Sequence, residues 1–165
     1  MPLTKLNSAS VIERLPVGSV IQTPTPVPSN TITVHDTTSF TNTNLVLSIT
    51  PTSTSSKVLV TSSFNVRTYH NGYQCFGRVG LYRGSTLLAT RDVNTDGGNT
   101  ARWMTFPCGF VHLDSPSTTS ATEYRIKARV LWTTYSAQLD VGYFYNDSGN
   151  DETNQQTLTL QEIKG

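Results

Sequence analysis

No stretch of 18 consecutive apolar residues occurs anywhere in the chain, so nothing in the sequence has the length to cross a bilayer as a helix. The N-terminus, MPLTKLNSAS, lacks the apolar centre of a secretory leader, which predicts a soluble protein not exported by a cleaved signal. Without that signal, the sequon Asn146-Asp147-Ser148 reads as a plain polar loop. Charge is scarce: 14% of 165 residues, split into 12 basic and 11 acidic side chains and scattered rather than clustered. That leaves no basic patch through which phosphate binding could release counterions, and nucleic acid is not an expected partner. Only two cysteines are present, Cys75 and Cys108, each inside a predicted strand, and buried free thiols are the expectation, with a cross-sheet disulfide as the alternative. With no third Cys or His at ligand spacing, and His35, His70 and His112 far apart, no zinc site is expected. The acids close in sequence are Asp92 with Asp96, and Asp147 with Asp151 and Glu152. Both groups fall in Gly/Asn-rich loops, a poor scaffold for the fixed carboxylate separation of glycoside hydrolysis, so no enzyme is expected.

What the chain has in quantity is period-two alternation. From Glu123, the residues Tyr124, Ile126, Ala128, Val130 and Trp132 point one way and Glu123, Arg125, Lys127, Arg129 and Leu131 the other, which is a half-buried strand. Asp114-Ser115-Pro116 ends the strand before it, because proline fixes its own φ and drives the preceding residue out of the helical region. Further strands are predicted at Val17–Thr23, at Ile32 and Val34, through Leu45, Leu47 and Ile49, and over Lys57–Arg67. A hairpin, Gln74–Tyr82 with Thr86–Thr90, turns at Arg83-Gly84-Ser85. Strands over Trp103–Leu113, Gln138–Tyr145 and Thr157–Ile163 complete the set, with Pro107 requiring an edge or a bulge. Ser10 and Glu13 have capping-box spacing, but Pro16 limits any helix to one turn. Many short antiparallel strands imply an all-β fold, an antiparallel two-sheet β-sandwich of the jelly-roll kind. Residues 1–30 are read as an N-terminal arm and Pro-rich linker and 31–165 as the sandwich. Leu3, Leu6, Val11, Ile12 and Leu15 make residues 1–16 apolar enough to dock on another subunit or another protein.

Three groups of residues invite a functional reading. Asp92-Val-Asn94-Thr-Asp96-Gly97 opens like a calcium loop, but its twelfth position is Trp103 rather than Glu. An ordinary turn is the plainer reading, so no cofactor is expected and Asp92, Asn94 and Asp96 remain a calcium candidate. Tyr69, His70 and Tyr73 are predicted at a turn, which strand alternation places at the same end of the sandwich as loops 91–100 and 133–136 with Tyr135. Amphipathic rings there suit stacking on a sugar or anchoring a partner. Val46, Leu59, Leu131 and Phe144 fall opposite their strands' apolar sets and are expected to merge into one subunit interface.

Four blocks, TSSKVLVTSSFNV, GRVGLYRGSTLLA, LDSPSTTSATEYRIKARV and TLTLQEI, together resemble the jelly-roll tip or fibre domains of tailed-bacteriophage particles over residues 40–165. That family is similar in layout to the C1q and tumour-necrosis-factor jelly rolls, which implies a homotrimer and no catalytic motif. The resemblance implies a structural virion component, made in the host cytoplasm, attached to other virion proteins through residues 1–16, with a host surface glycan as a further candidate partner. Only some 30 residues precede the sandwich, which suggests a compact knob rather than a stalked fibre. A monomeric carbohydrate-binding module or lectin is the alternative, motivated by the turn aromatics.

Overall fold

The computed structural model describes residues 12–24, 33–72, 74–96, 102–133, 136–145, 151–153 and 156–165. Its strands are β1 (Val20–Gln22), β2 (Thr33–His35), β3 (Thr41–Ile49), β4 (Lys57–His70), β5 (Gln74–Arg83) and β6 (Thr86–Asp96), followed by β7 (Arg102–Asp114), β8 (Thr122–Val130), β9 (Gln138–Val141), β10 (Tyr143–Tyr145), β11 (Asp151–Thr153) and β12 (Thr157–Ile163). The first sheet is built on β4: β7 pairs its whole length on one edge, while β12 takes Lys57–Ser63 and β9 takes Val66–Tyr69 on the other. β1 extends this sheet beyond β12 and β2 beyond β9. The second sheet has the order β3-β8-β5-β6, and β10 and β11 form a separate hairpin.

With β2, β9, β10 and β11 set aside, the remaining eight strands pair first with last, second with seventh, third with sixth and fourth with fifth. Such nested pairing is that of one long hairpin wrapped across two sheets, and the fold is a jelly roll. Its tip is the β5–β6 turn, where Gly84 at φ +55° takes the left-handed conformation that side chains resist.

The core follows from alternation. β8 buries Thr122, Tyr124, Ile126, Ala128 and Val130 and leaves the intervening residues half-exposed. β4 turns Val58, Val60, Phe64 and Val66 inward to meet them, joined by Leu45, Ile49, Val79, Leu81, Leu139, Leu158 and Leu160. Each large aliphatic side chain so buried contributes about 1.5–3 kcal/mol of transfer free energy. Both cysteines are free, Cys75 fully buried and Cys108 partly.

Several expectations need correction. β1 is hydrogen-bonded to β12, so the sandwich begins within residues 1–30 rather than at residue 31. Residues 12–14 make one helical turn whose Ile12, Glu13 and Leu15 carbonyls accept from Lys164 Nζ at 3.0, 2.8 and 2.6 Å, so this part of the arm docks on its own chain. The expected Gln138–Tyr145 strand divides at Gly142, φ +94°. β7 runs unbroken through Pro107, which its edge position permits because the missing N–H faces no partner strand. Val46 and Leu59 do not share a surface: Val46 faces outward opposite Arg125 on the second sheet, Leu59 outward opposite Leu113 on the first, with the core between them. Leu131 follows the end of β8, half-buried, and the side chain of Phe144 lies outside the described residues.

Candidate functional site

Register decides which loops meet. His70 pairs with Arg102, Gln74 with Asp96, Gly77 with Val130 and Tyr69 with Gln138, so the connections after β4, β6 and β8 emerge at one end of the sandwich. The residues displayed there differ from those expected. β4 extends to His70, so Tyr69 and His70 stand on a strand rather than in a turn, and strand alternation turns them to opposite faces. His70 points inward and is fully buried, which removes it from any contact surface, and among the described residues neither ring nitrogen finds a hydrogen-bond partner. Beside it in the sequence, Thr68 on β4 hydrogen-bonds Thr95 on β6 through their hydroxyls, tying the two sheets. Tyr73 and Tyr135 lie outside the described residues.

Tyr69 faces out, directly opposite Trp103 of β7. Their rings lie 4.1 Å apart at 31°. One step back on the same face of β4, the Arg67 guanidinium sits 4.0 Å from the Trp103 ring centroid. Arg67 Nε and Nη2 both donate to Asp140 Oδ2 on β9, at 2.8 and 2.5 Å, and Asp140 is buried. Trp103 nevertheless keeps 51% of its surface in water. The result is an exposed indole on a rigid strand pair, braced by a ring and by a guanidinium that is itself held by a buried carboxylate. On the other face of the sandwich, Trp132 packs on Phe76 at 4.4 Å, and the neighbouring Leu131 N–H donates to the Phe76 carbonyl at 2.7 Å. Trp132 thus belongs outside the core, not on the inner face that alternation from Tyr124 assigned to it. Sequence reasoning missed both tryptophans and the Arg67–Asp140 pair. The available signal was the position of each Trp beside a polar connection.

The first half of the calcium candidate lies on a strand rather than in a loop, and residues 97–100 with the Asp96 side chain lie outside the described residues. β6 continues to Asp96, so Asp92, Asn94 and Asp96 are spaced about 7 Å apart along an extended strand rather than wrapped round a point. Asp92 instead accepts from Arg78 Nε and Nη2 at 2.5 and 2.9 Å, which holds its carboxyl below the ordinary range. The other described strand carboxylates are committed in the same way. Asp114 accepts from Arg83 at 2.8 and 3.0 Å and from the Tyr124 hydroxyl at 2.7 Å, Glu123 pairs with Arg125, and Glu162 accepts from Thr52 and Gln22. Burial pushes the Cys75 thiol up to about 11 and raises that of Cys108 as well, which keeps both protonated and unreactive at neutral pH. Among the described residues no group of three His, Cys, Asp or Glu could hold a metal ion. What this arrangement offers a partner is a stacking surface, with carboxylates already engaged. No protein-family model and no curated protein matches the chain.

Proposed function

We propose that the chain is a non-enzymatic, structural jelly-roll knob of a tailed-phage particle. It works as a homotrimer, attaches to other virion proteins through its N-terminal arm and meets a host surface glycan at the loop end. The particle assignment rests on the four-block resemblance. Assembly rests on one observation: the outer face of the first sheet sets Leu59 against Leu113, which is 51% exposed, with Val111 one outward step along at 77%. Apolar residues in register on a rigid sheet form a patch rather than scattered points, and closure about a three-fold axis would bury it. Sedimentation equilibrium tests this: the expected mass is three times the 18.1 kDa of one chain, and a stable 18.1 kDa species overturns it.

The second reading, a monomeric carbohydrate-binding module, is favoured by the braced Trp103. Under either reading, Trp103→Ala should weaken adsorption to host cells about two- to tenfold with the fold intact, because stacking on an aromatic face is worth about 0.5–1.5 kcal/mol. Unchanged adsorption would remove the loop end from recognition.

A further inference from the structure

The outer face of the second sheet is built unlike that of the first. Outward positions of β5 and β8 meet as Arg78 against Arg129, Gly80 against Lys127 and Tyr82 against Arg125. Like charges directly opposite one another weaken a sheet, so the Arg78–Arg129 pairing contributes nothing to folding. Two of the four cations are neutralised locally, Arg78 by Asp92 and Arg125 by Glu123. Among the described residues Lys127 and Arg129 make no direct ion pair, feeling Glu123 and Asp92 only at longer range. They lie instead on aromatic rings, Lys127 Nζ 4.5 Å from the Tyr82 centroid and the Arg129 guanidinium 4.8 Å from that of Phe40, and Arg129 Nη1 donates to the Thr38 carbonyl at 3.2 Å. Phe40 and Tyr82 meet edge to face at 5.4 Å over Gly80, where a Cβ would come within 3.0 Å of Tyr82 and 3.3 Å of Phe40. Among the described residues the buried Arg129 Nε has no acceptor. Toward the loop end, Phe76 with Trp132 continues the row of rings.

The side chains of Arg125, Lys127 and Arg129 thus recur about 7 Å apart along β8, half-desolvated, the first held by Glu123 and the other two by rings. We propose that this face binds a linear polysaccharide bearing carboxylates. Carboxylates suit it because this face sets four cations against two carboxylates, both already bonded to Arg78 and Arg125, and because among the described residues the buried Arg129 Nε has no acceptor. Single-stranded nucleic acid suits it less, since it needs open ring faces for stacking, and here Lys127 and Arg129 occupy them. The site lies across the sandwich from Trp103 and stands independently of the loop-end reading.

The experiment titrates the full-length chain with a galacturonic acid decamer, with neutral dextran oligomers and with single-stranded DNA of matched charge, following Trp132 fluorescence and calorimetry at two salt concentrations. The expected result is salt-sensitive binding of the decamer, none of dextran, and at least a tenfold weaker affinity in Lys127→Gln/Arg129→Gln with an unchanged melting curve. Lys57→Gln, on the first sheet, should bind as the native chain does. Should the double variant melt early, Lys127→Gln alone must still lower affinity at least threefold, since that side chain rests on the Tyr82 ring and makes no direct ion pair among the described residues. The proposal is overturned by no binding of the decamer, by native affinity in these variants, or by DNA binding as tightly as the decamer.

Discussion

His35 sits at the end of β2, buried, with Nδ1 against the Thr41 hydroxyl. That hydroxyl also donates to the Ala128 carbonyl at 3.3 Å, which ties the ring to β8. Burial lowers its pKa from 6.5 to about 4, with Asp36 opposing. A histidine whose folded pKa lies below its unfolded value lends full stability above pH 6.5, and that stability is lost as pH falls from 6.5 toward 4. Between pH 7 and pH 5 the loss should be about 2 kcal/mol. Urea melts of the native chain and of His35→Gln at both values would isolate it: the variant should be far less acid-sensitive over this window, and equal sensitivity would assign the acid response to other groups. The same residue type shows why sites are hard to read from a single chain. His70 and Tyr69 are neighbours in a polar-looking segment, yet one step of strand parity buries the first and exposes the second. Where the strand ends decides both, and the polar tail of β4, Arg67 to His70, hides that end.

Elements fail and succeed by the same logic. β8 was legible because five apolar residues alternate without interruption, whereas the far half of β6 has Val93 and Thr95 turned inward, and its outward Asp92 and Asn94 imitate a turn. At the opposite end of the sandwich, the helical turn over residues 12–14 is too short to persist alone, and its carbonyls are collected by the Lys164 ammonium. Backbone bonds from Gly18 to Lys164 and from Lys164 to Ser19, each 2.8 Å, hold the following residues. Beneath the turn a cavity of about 470 Å³, lined by Ile12, Ile21 and the hydroxyls of Thr52, Ser53, Ser55 and Ser56, separates it from the loop after β3. Glu162 closes the floor beside it: burial alone would raise its pKa, but hydrogen bonds from Gln22 and Thr52 outweigh that and hold it below the usual range. The turn is therefore attached mainly through one side chain. Lys164→Met should leave global stability within about 1 kcal/mol while freeing the backbone around the already exposed Arg14, so that trypsin cuts there at least tenfold faster. Cleavage at the native rate would show that contacts other than the lysine hold the turn.

At the scale of the whole molecule, the order of the main strands was enough to expect a jelly roll, because most of them announce themselves by alternation and their turns by Gly, Pro or a Ser/Thr run, although β11 was read as part of a polar loop. The surface proposed to lie between copies was not legible, for a definite reason. Parity within a strand says which residues share a face of that strand, but pairing with strands far away in sequence decides which sheet that face belongs to. Val46 and Leu59 each stand opposite an inward set, and the wrapped hairpin puts them on opposite sides of the molecule. The same pairing gathers Leu59, Val111 and Leu113, whose alternation in β7 is obscured by the glycine, proline and threonine around them. If three copies bury this strip, Val111→Asp/Leu113→Asp places two carboxylates in an apolar contact without touching the core. The expected outcome is a fall in sedimentation mass from three chains to one, with a circular dichroism spectrum unchanged. Because a subunit contact adds to apparent stability only while partners are present, the melting temperature of the native chain should also rise with concentration and that of the double variant should not. Both proteins running at one chain mass, or both as trimers, would show that Leu59, Val111 and Leu113 face water or a different partner.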